Sequence, residues 1–313
     1  VDPSFETVGK RPGPAVIAVA NQKGGVGKTT TVINLAACLA ASHKRTLIVD
    51  LDPQCNATSG LGLQPVSRPS LLELLLKEAA EPFFVPYDTI PGLTLLTGSP
   101  DLVGAEQLLK EATEHPLLAL RAVIDIVRGG DHAFEYILID CPPSLGLITL
   151  NALSAATDLL IPVQAEYFAM EGLASIIESF NLVRSRTNPD LQLFGLLVTM
   201  IDLRTNLSQE VESELRRHYG EQVFKTTIPR NVRLSEAPSH GKPVILYDFW
   251  SRGARSYMEL TKEVLQIKQG DSQNPPGGTT ASLTEEGRDS GQQALVIGGL
   301  NPEREGDQER QSE

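Results

Sequence analysis

Cysteine is scarce in this chain: Cys38, Cys55 and Cys141 are scattered through 313 residues with no C-x-x-C spacing. That argues against a zinc ribbon or a secreted disulfide scaffold, and it suits reduced thiols in a cytosolic protein. The five histidines, His43, His115, His132, His218 and His240, make no H-E-x-x-H or other ligand pattern, so each is read as solvated or structural. No apolar run approaches the ~20 residues that a membrane span needs. Positive charge is in deficit as well. With 27 Lys and Arg against 39 Asp and Glu, the net charge of −12 speaks against a protein that coats nucleic acid with its whole surface.

The deficit is uneven. From Gln269 to Glu313 there are nine acidic and three basic residues, so half of the excess lies in the last stretch. Between Arg184 and Arg255, eleven Lys and Arg outnumber eight Asp and Glu, which leaves room for a modest basic face. Residues 269–313 are rich in Gly, Pro, Ser, Gln and Glu, and only Ala294-Leu295-Val296-Ile297 interrupts them. Such a composition cannot offset its ordering entropy by burial, so a disordered tail is expected there. Residues 1–14 are polar, lack the apolar centre of a signal peptide, and are read as a loose arm. A single domain over 15–268 is expected between them.

What the chain does have is Lys23-Gly24-Gly25-Val26-Gly27-Lys28-Thr29-Thr30. It follows the apolar run Val16-Ile17-Ala18-Val19-Ala20 and leads into Val32, Leu35, Ala36 and Leu39, spaced as one buried helix face. The order is strand, glycine-rich loop, helix. In such a loop consecutive N–H groups turn toward one point, and the helix start adds free donors and the positive end of its dipole. A polyphosphate fits that point, with Lys28 reaching the β/γ-phosphates and the Thr29 hydroxyl available to Mg²⁺. The usual spacing G-x-x-x-x-G-K-[ST] would place its first glycine where Gln22 stands, and a second lysine, Lys23, precedes the glycine pair instead.

Further strands are expected at Thr46–Asp50, Leu93–Leu96, Tyr136–Asp140, Asp158–Val163 and Leu193–Thr199. Helices are expected from Ser70 to Ala80, over 101–128 around Pro116, and over 172–186, 206–219 and 252–268. Uninterrupted apolar strands between helices predict an α/β fold: a P-loop NTPase with a doubly wound, mainly parallel sheet covered on both faces. Ligands then sit beyond the carboxyl ends of the strands. Asp50 and Asp52 fall there, either to position a metal or an attacking water or simply to make a turn with Pro53. Asp140, at the end of an apolar strand, suits a Walker B acid that holds the Mg²⁺ shell.

The run Ala20–Thr30 resembles the deviant Walker A box of the ParA/MinD group of P-loop ATPases. Asp50-Leu51-Asp52-Pro53-Gln54, Asp140-Cys141-Pro142-Pro143-Ser144 and the segment Pro229–Pro243 are similar to the ParA/Soj chromosome-partitioning branch, over roughly residues 15–268. The resemblance implies an ATP- and Mg²⁺-dependent switch that forms a homodimer around ATP. It implies that Lys23 crosses to the partner's nucleotide, that Lys28 and Thr29 bind phosphate and Mg²⁺, and that Asp52 orients the attacking water. By the same likeness, Gly24, Gly25, Val26, Gly27 and Thr30 cradle the phosphates, Asp52 and Asp140 join the metal shell partly through water, and residues 199–202 with Pro229, Arg230 and Asn231 line the adenine side. Arg204 and Arg233 stand where the family binds double-stranded DNA without sequence preference, which suits phosphate contacts. A ParB-type centromere-binding protein is the implied partner that stimulates hydrolysis, and a cytoplasmic, nucleoid-associated location follows. Two rivals share the loop. A MinD-like membrane-cycling ATPase calls for a basic amphipathic C-terminus, whereas this one is acidic, so no stable membrane association is expected. An iron–sulfur reductase like the nitrogenase iron protein needs paired cluster cysteines, which Cys55 and Cys141 do not resemble.

Overall fold

A computed structural model describes residues 13–66, 68–166, 169–202 and 204–273. Most of the N-terminal arm and the tail beyond Gln273 lie outside the described residues. The chain runs β1 (Ala15–Val19), α1 (Lys28–Ala41), β2 (Thr46–Asp50), α2 (Asn56–Gly60), α3 (Leu71–Leu75), β3 (Val85–Pro86) and β4 (Leu93–Leu96). It continues α4 (Ala105–Ala112), α5 (Ala119–Gly129), β5 (Tyr136–Asp140), α6 (Leu147–Ala155), β6 (Asp158–Gln164) and α7 (Ala169–Arg186). Last come β7 (Gln192–Thr199), α8 (Asn206–Tyr219), α9 (Val232–Glu236), α10 (Val244–Tyr247) and α11 (Arg252–Gln273).

The seven strands form one sheet in the order β3-β4-β2-β5-β1-β6-β7, all parallel except the β3–β4 pair. Period-two alternation deals the strand residues to two cores. Val16, Ala18, Leu47, Val49, Ile137 and Ile139 face one layer, with residues of α3 to α8. Ile17, Val19, Ile48, Tyr136 and Leu138 face the other, with residues of α1, α2, α9, α10 and α11. The central strands β1, β2, β5 and β6 are therefore buried on both sides, which is why they read as unbroken apolar runs.

β1 lies between β5 and β6, while the chain itself leaves β1 for β2, two places away. The strand order thus reverses around β1, and the loop after β1 opens into the crevice where such sheets place ligands. Parallel register aligns Asp140 of β5 with both Val19 and Asp50, so the strand ends finish level beside that loop.

Three expectations are corrected. The helix expected from Ser70 to Ala80 ends at Leu75, because Lys77 takes a left-handed backbone (φ 60°) that no continuing helix allows. The helix expected to end at Lys268 continues to Gln273, and that expected from Gly172 begins at Ala169. Helix α6 was not anticipated at all.

Candidate functional site

α1 begins without the usual side-chain cap. Its N-cap is Gly27, in a left-handed conformation (φ 89°), and its first turn carries no acidic residue. Gly25 is likewise left-handed (φ 76°), so these two glycines are the ones the loop's path requires. The first-turn N–H groups and the helix dipole are thereby left for an anion supplied from outside. By contrast α3 caps itself, with Ser70 and Glu73 forming a reciprocal capping box.

The loop is braced from both sides. The Asn21 amide donates to the Pro162 carbonyl (2.8 Å), and its Oδ1 accepts from the Lys23 N–H (3.0 Å). The Thr199 hydroxyl at the end of β7 donates to the Val26 carbonyl (2.8 Å). Lys28 is buried, and its ammonium donates to the Lys23 carbonyl (3.1 Å). Burial pulls the Lys28 pKa below its ordinary value, and Asp140, Cys141 and Asp52 push it back. The Lys23 ammonium points elsewhere, to Glu166 after β6 (3.0 Å).

Three acids lie at or just beyond the ends of β2 and β5 beside this loop. Asp50 is fully buried, and its Oδ2 accepts from both the N–H and the hydroxyl of Thr58 (2.8 and 2.7 Å). Burial pushes its pKa up to about 6 against the pull of Thr58, with the nearby Asp52 adding to the rise. Asp140 is also fully buried, and among the described residues neither of its carboxylate oxygens has a hydrogen-bond partner. Burial, then the charge of Asp50, raise its pKa well above the ordinary carboxylate value, opposed by the nearby Thr29 hydroxyl and Lys28. Asp52 is almost buried, its Oδ1 accepting from the Gln54 N–H (3.0 Å).

Buried carboxylates with vacant lone pairs are costly unless a cation meets them. The residues present therefore fit Mg²⁺, which takes one or two protein oxygens and fills its shell with water and phosphate oxygens. Thr29 and Asp140 would hold it, with Asp52 near enough to act through water. Among the described residues no group of three or more His, Cys, Asp or Glu could hold a metal ion by itself.

A family model described as an AAA domain matches residues 14–193. The chain is 51% identical over 249 residues to the chromosome-partitioning ATPase Soj of Thermus thermophilus, covering 80% of this chain and 94% of that one. It is 47% identical over 263 residues to the chromosome partitioning protein ParA of Myxococcus xanthus, covering 84% and 90%. This chain belongs to the Soj/ParA family of chromosome-partitioning ATPases. A solved structure, cobyrinic acid a,c-diamide synthase of Mycobacterium smegmatis with bound ADP and magnesium, shares its fold at a TM-score of 0.70 and 37% identity, covering 85% and 100%.

Against the family pattern, the remaining residues divide. Pro229 pairs with Ile201 in an isolated parallel bridge, and the Arg230 N–H donates to the Ile201 carbonyl (3.1 Å), so the segments after β7 and before α9 meet. Asn231 caps α9 through its own side chain. Arg204 is exposed and forked onto Asp202 (2.6 and 2.9 Å). Arg233 pairs with Glu236 (2.8 Å) and Asp248 (3.2 Å). Neither arginine comes to the phosphate loop. Glu166, Asn21 and Thr58 escaped the sequence reading, since each acts through contacts with segments that only the fold brings together.

Proposed function

We propose that this Soj/ParA ATPase is a nucleotide-driven switch: ATP with Mg²⁺ closes two copies face to face, the closed form binds duplex DNA, and hydrolysis releases it. The observation that carries this reading is the uncapped start of α1 set against the unpartnered buried carboxylate of Asp140, with Lys28 between. That arrangement is short of one anion and one cation at once, and a magnesium triphosphate supplies both. When bound, Mg²⁺ supplies Lewis-acid charge at the phosphate oxygens.

The protein's share is positioning and electrostatics. N–H groups of the loop and first turn hold the phosphates, and Lys28 offsets charge that grows on the transferred group. Asp52 orients the attacking water. Lys23 is assigned to the partner's nucleotide. To reach it, Lys23 must leave Glu166, a half-exposed pair worth at most about 1 kcal/mol, so the exchange is inexpensive. Arg204 and Arg233 are assigned to DNA phosphates, in place of the half-buried carboxylates they now face. Doubling this weak basic face in the dimer makes DNA affinity depend on ATP. A ParB-type partner is the stimulator of hydrolysis on this reading, and the nucleoid is the location.

The test compares two variants. Lys28→Ala should lose ATP binding itself, by isothermal titration. Asp52→Ala should bind ATP and dimerise but hydrolyse it ~100-fold more slowly with DNA and partner present. Normal turnover by Asp52→Ala would remove the water-positioning role.

A further inference from the structure

The junction between α10 and α11 exposes aromatic surface that packing does not require. Phe249 is 49% and Trp250 75% exposed, and their rings meet edge to face at 5.1 Å. Such rings on a surface carry a cost in water and normally mark a contact site. The Arg255 guanidinium lies over the Trp250 ring (6.0 Å), and Arg252, also exposed, has no ion pair among the described residues. The neighbouring Asp248 accepts from Arg233.

The backbone holds these groups together. A Cβ at Gly253 would stand 2.6 Å from Leu234 Cγ, so glycine lets the first turn of α11 sit directly on α9. Arg233 and Arg252, each the chain neighbour of one of these contact residues, are thereby carried at one junction. Charge decides the occupant. From Lys225 to Lys268 there are eight Lys and Arg against four Asp and Glu, a local surplus of four in a chain whose net charge is −12.

We propose that this junction is part of the duplex-DNA contact, with Arg252 and Arg255 on phosphates and the Trp250 indole, backed by Phe249, against sugar and base edges. The inference rests on the DNA-binding reading above and adds an apolar component to it. Phosphate contacts release counterions and fade with salt, whereas the aromatic contact does not. The face should therefore hold DNA at salt concentrations that defeat arginines alone.

Trp250 is the chain's one tryptophan, so its fluorescence reports this site alone. Full-length protein with ATP and Mg²⁺ is titrated with a labelled duplex, reading indole emission and DNA anisotropy together. Indole quenching should saturate in step with binding. Trp250→Ala should weaken binding about tenfold with the salt slope kept, and Trp250→Phe should recover most of it. Arg252→Ala with Arg255→Ala should lower the slope by about two. Thermal melting of each variant separates loss of contact from loss of fold. Unchanged emission with full DNA affinity in Trp250→Ala, while Arg233→Ala loses binding, overturns this proposal and leaves the DNA reading standing. Absence of DNA binding by the unmutated protein defeats that reading itself. An indole shift on ATP alone with loss of dimer in Trp250→Ala, or a shift with phosphatidylglycerol vesicles and none with DNA, assigns the face to a second copy or to a membrane and also overturns the proposal.

Discussion

Asp50 and Asp140 show how one residue position can be readable and its state hidden. Both end apolar strands, which marked them as site residues from the chain alone. Their mutual register, and the lack among the described residues of a hydrogen-bond partner for the Asp140 oxygens, came only from the fold. Glu166 was out of reach for the same reason, lying 143 positions from the Lys23 it holds. The buried pair also has a consequence for pH. Asp50 has its pKa pushed up to about 6, above the ordinary 3.8, because burial disfavours its charged form. The folded chain then holds a proton that the unfolded chain has released, so this contribution to stability is complete below about pH 3.8 and lost as pH rises through about 6. Nucleotide-free protein should accordingly melt a few degrees higher near about pH 4.5 than above about pH 7, and Asp50→Asn should flatten that difference. Magnesium nucleotide competes with a proton on Asp140, whose pKa burial raises well above the ordinary carboxylate value, so its stabilisation should be larger on the alkaline side. Differential scanning fluorimetry across the range measures both, and a melting temperature that rose with pH in Asp50→Asn and parent alike would contradict the assignment.

Elements were legible where their burial was one-sided or two-sided in a regular way. Strands between helices stood out as apolar runs, and α8 showed its full extent through a polar face. Helix α6 was missed because Leu147, Ile148, Thr149, Asn151, Ala152, Leu153, Ser154 and Ala155 are all buried, so no apolar stripe alternates with a polar one. Strand β3 is two residues long and ends in Pro86, too short to show a period. The close approach of α9 and α11 was equally silent, since a glycine in a helix reads as a weakness rather than a contact. It can be tested. Gly253→Ala drives a methyl group into Leu234 and should destabilise the protein by about 1–3 kcal/mol, the usual range for an overpacked contact. ATP affinity should be unchanged, because the loop and α1 are untouched. Leu234→Ala in the same chain should recover part of the loss, and a denaturant double-mutant cycle reads the coupling. Additive effects of the two substitutions would show that the helices do not meet there.

At the scale of the whole molecule, the proposed switch sets two electrostatic demands against each other. Each copy carries a net charge of −12, and closing two copies over two triphosphates adds further negative charge at the seam. Screening by salt eases that repulsion, whereas it weakens contacts between arginines and DNA phosphates. On the proposed reading Lys23 is the cation that offsets the charge at the seam, and in the single chain it pairs with Glu166. The two steps should therefore respond to salt in opposite directions. With ATP and Mg²⁺, light scattering should show a dimer fraction that holds or rises between about 50 and 200 mM salt, while duplex affinity falls steeply over the same range. Lys23→Ala should retain ATP, stay monomeric at both concentrations, and bind DNA no better with ATP than with ADP. A Lys23→Ala protein that dimerised normally would show that the second lysine serves its own subunit, and the site would then be complete within one chain.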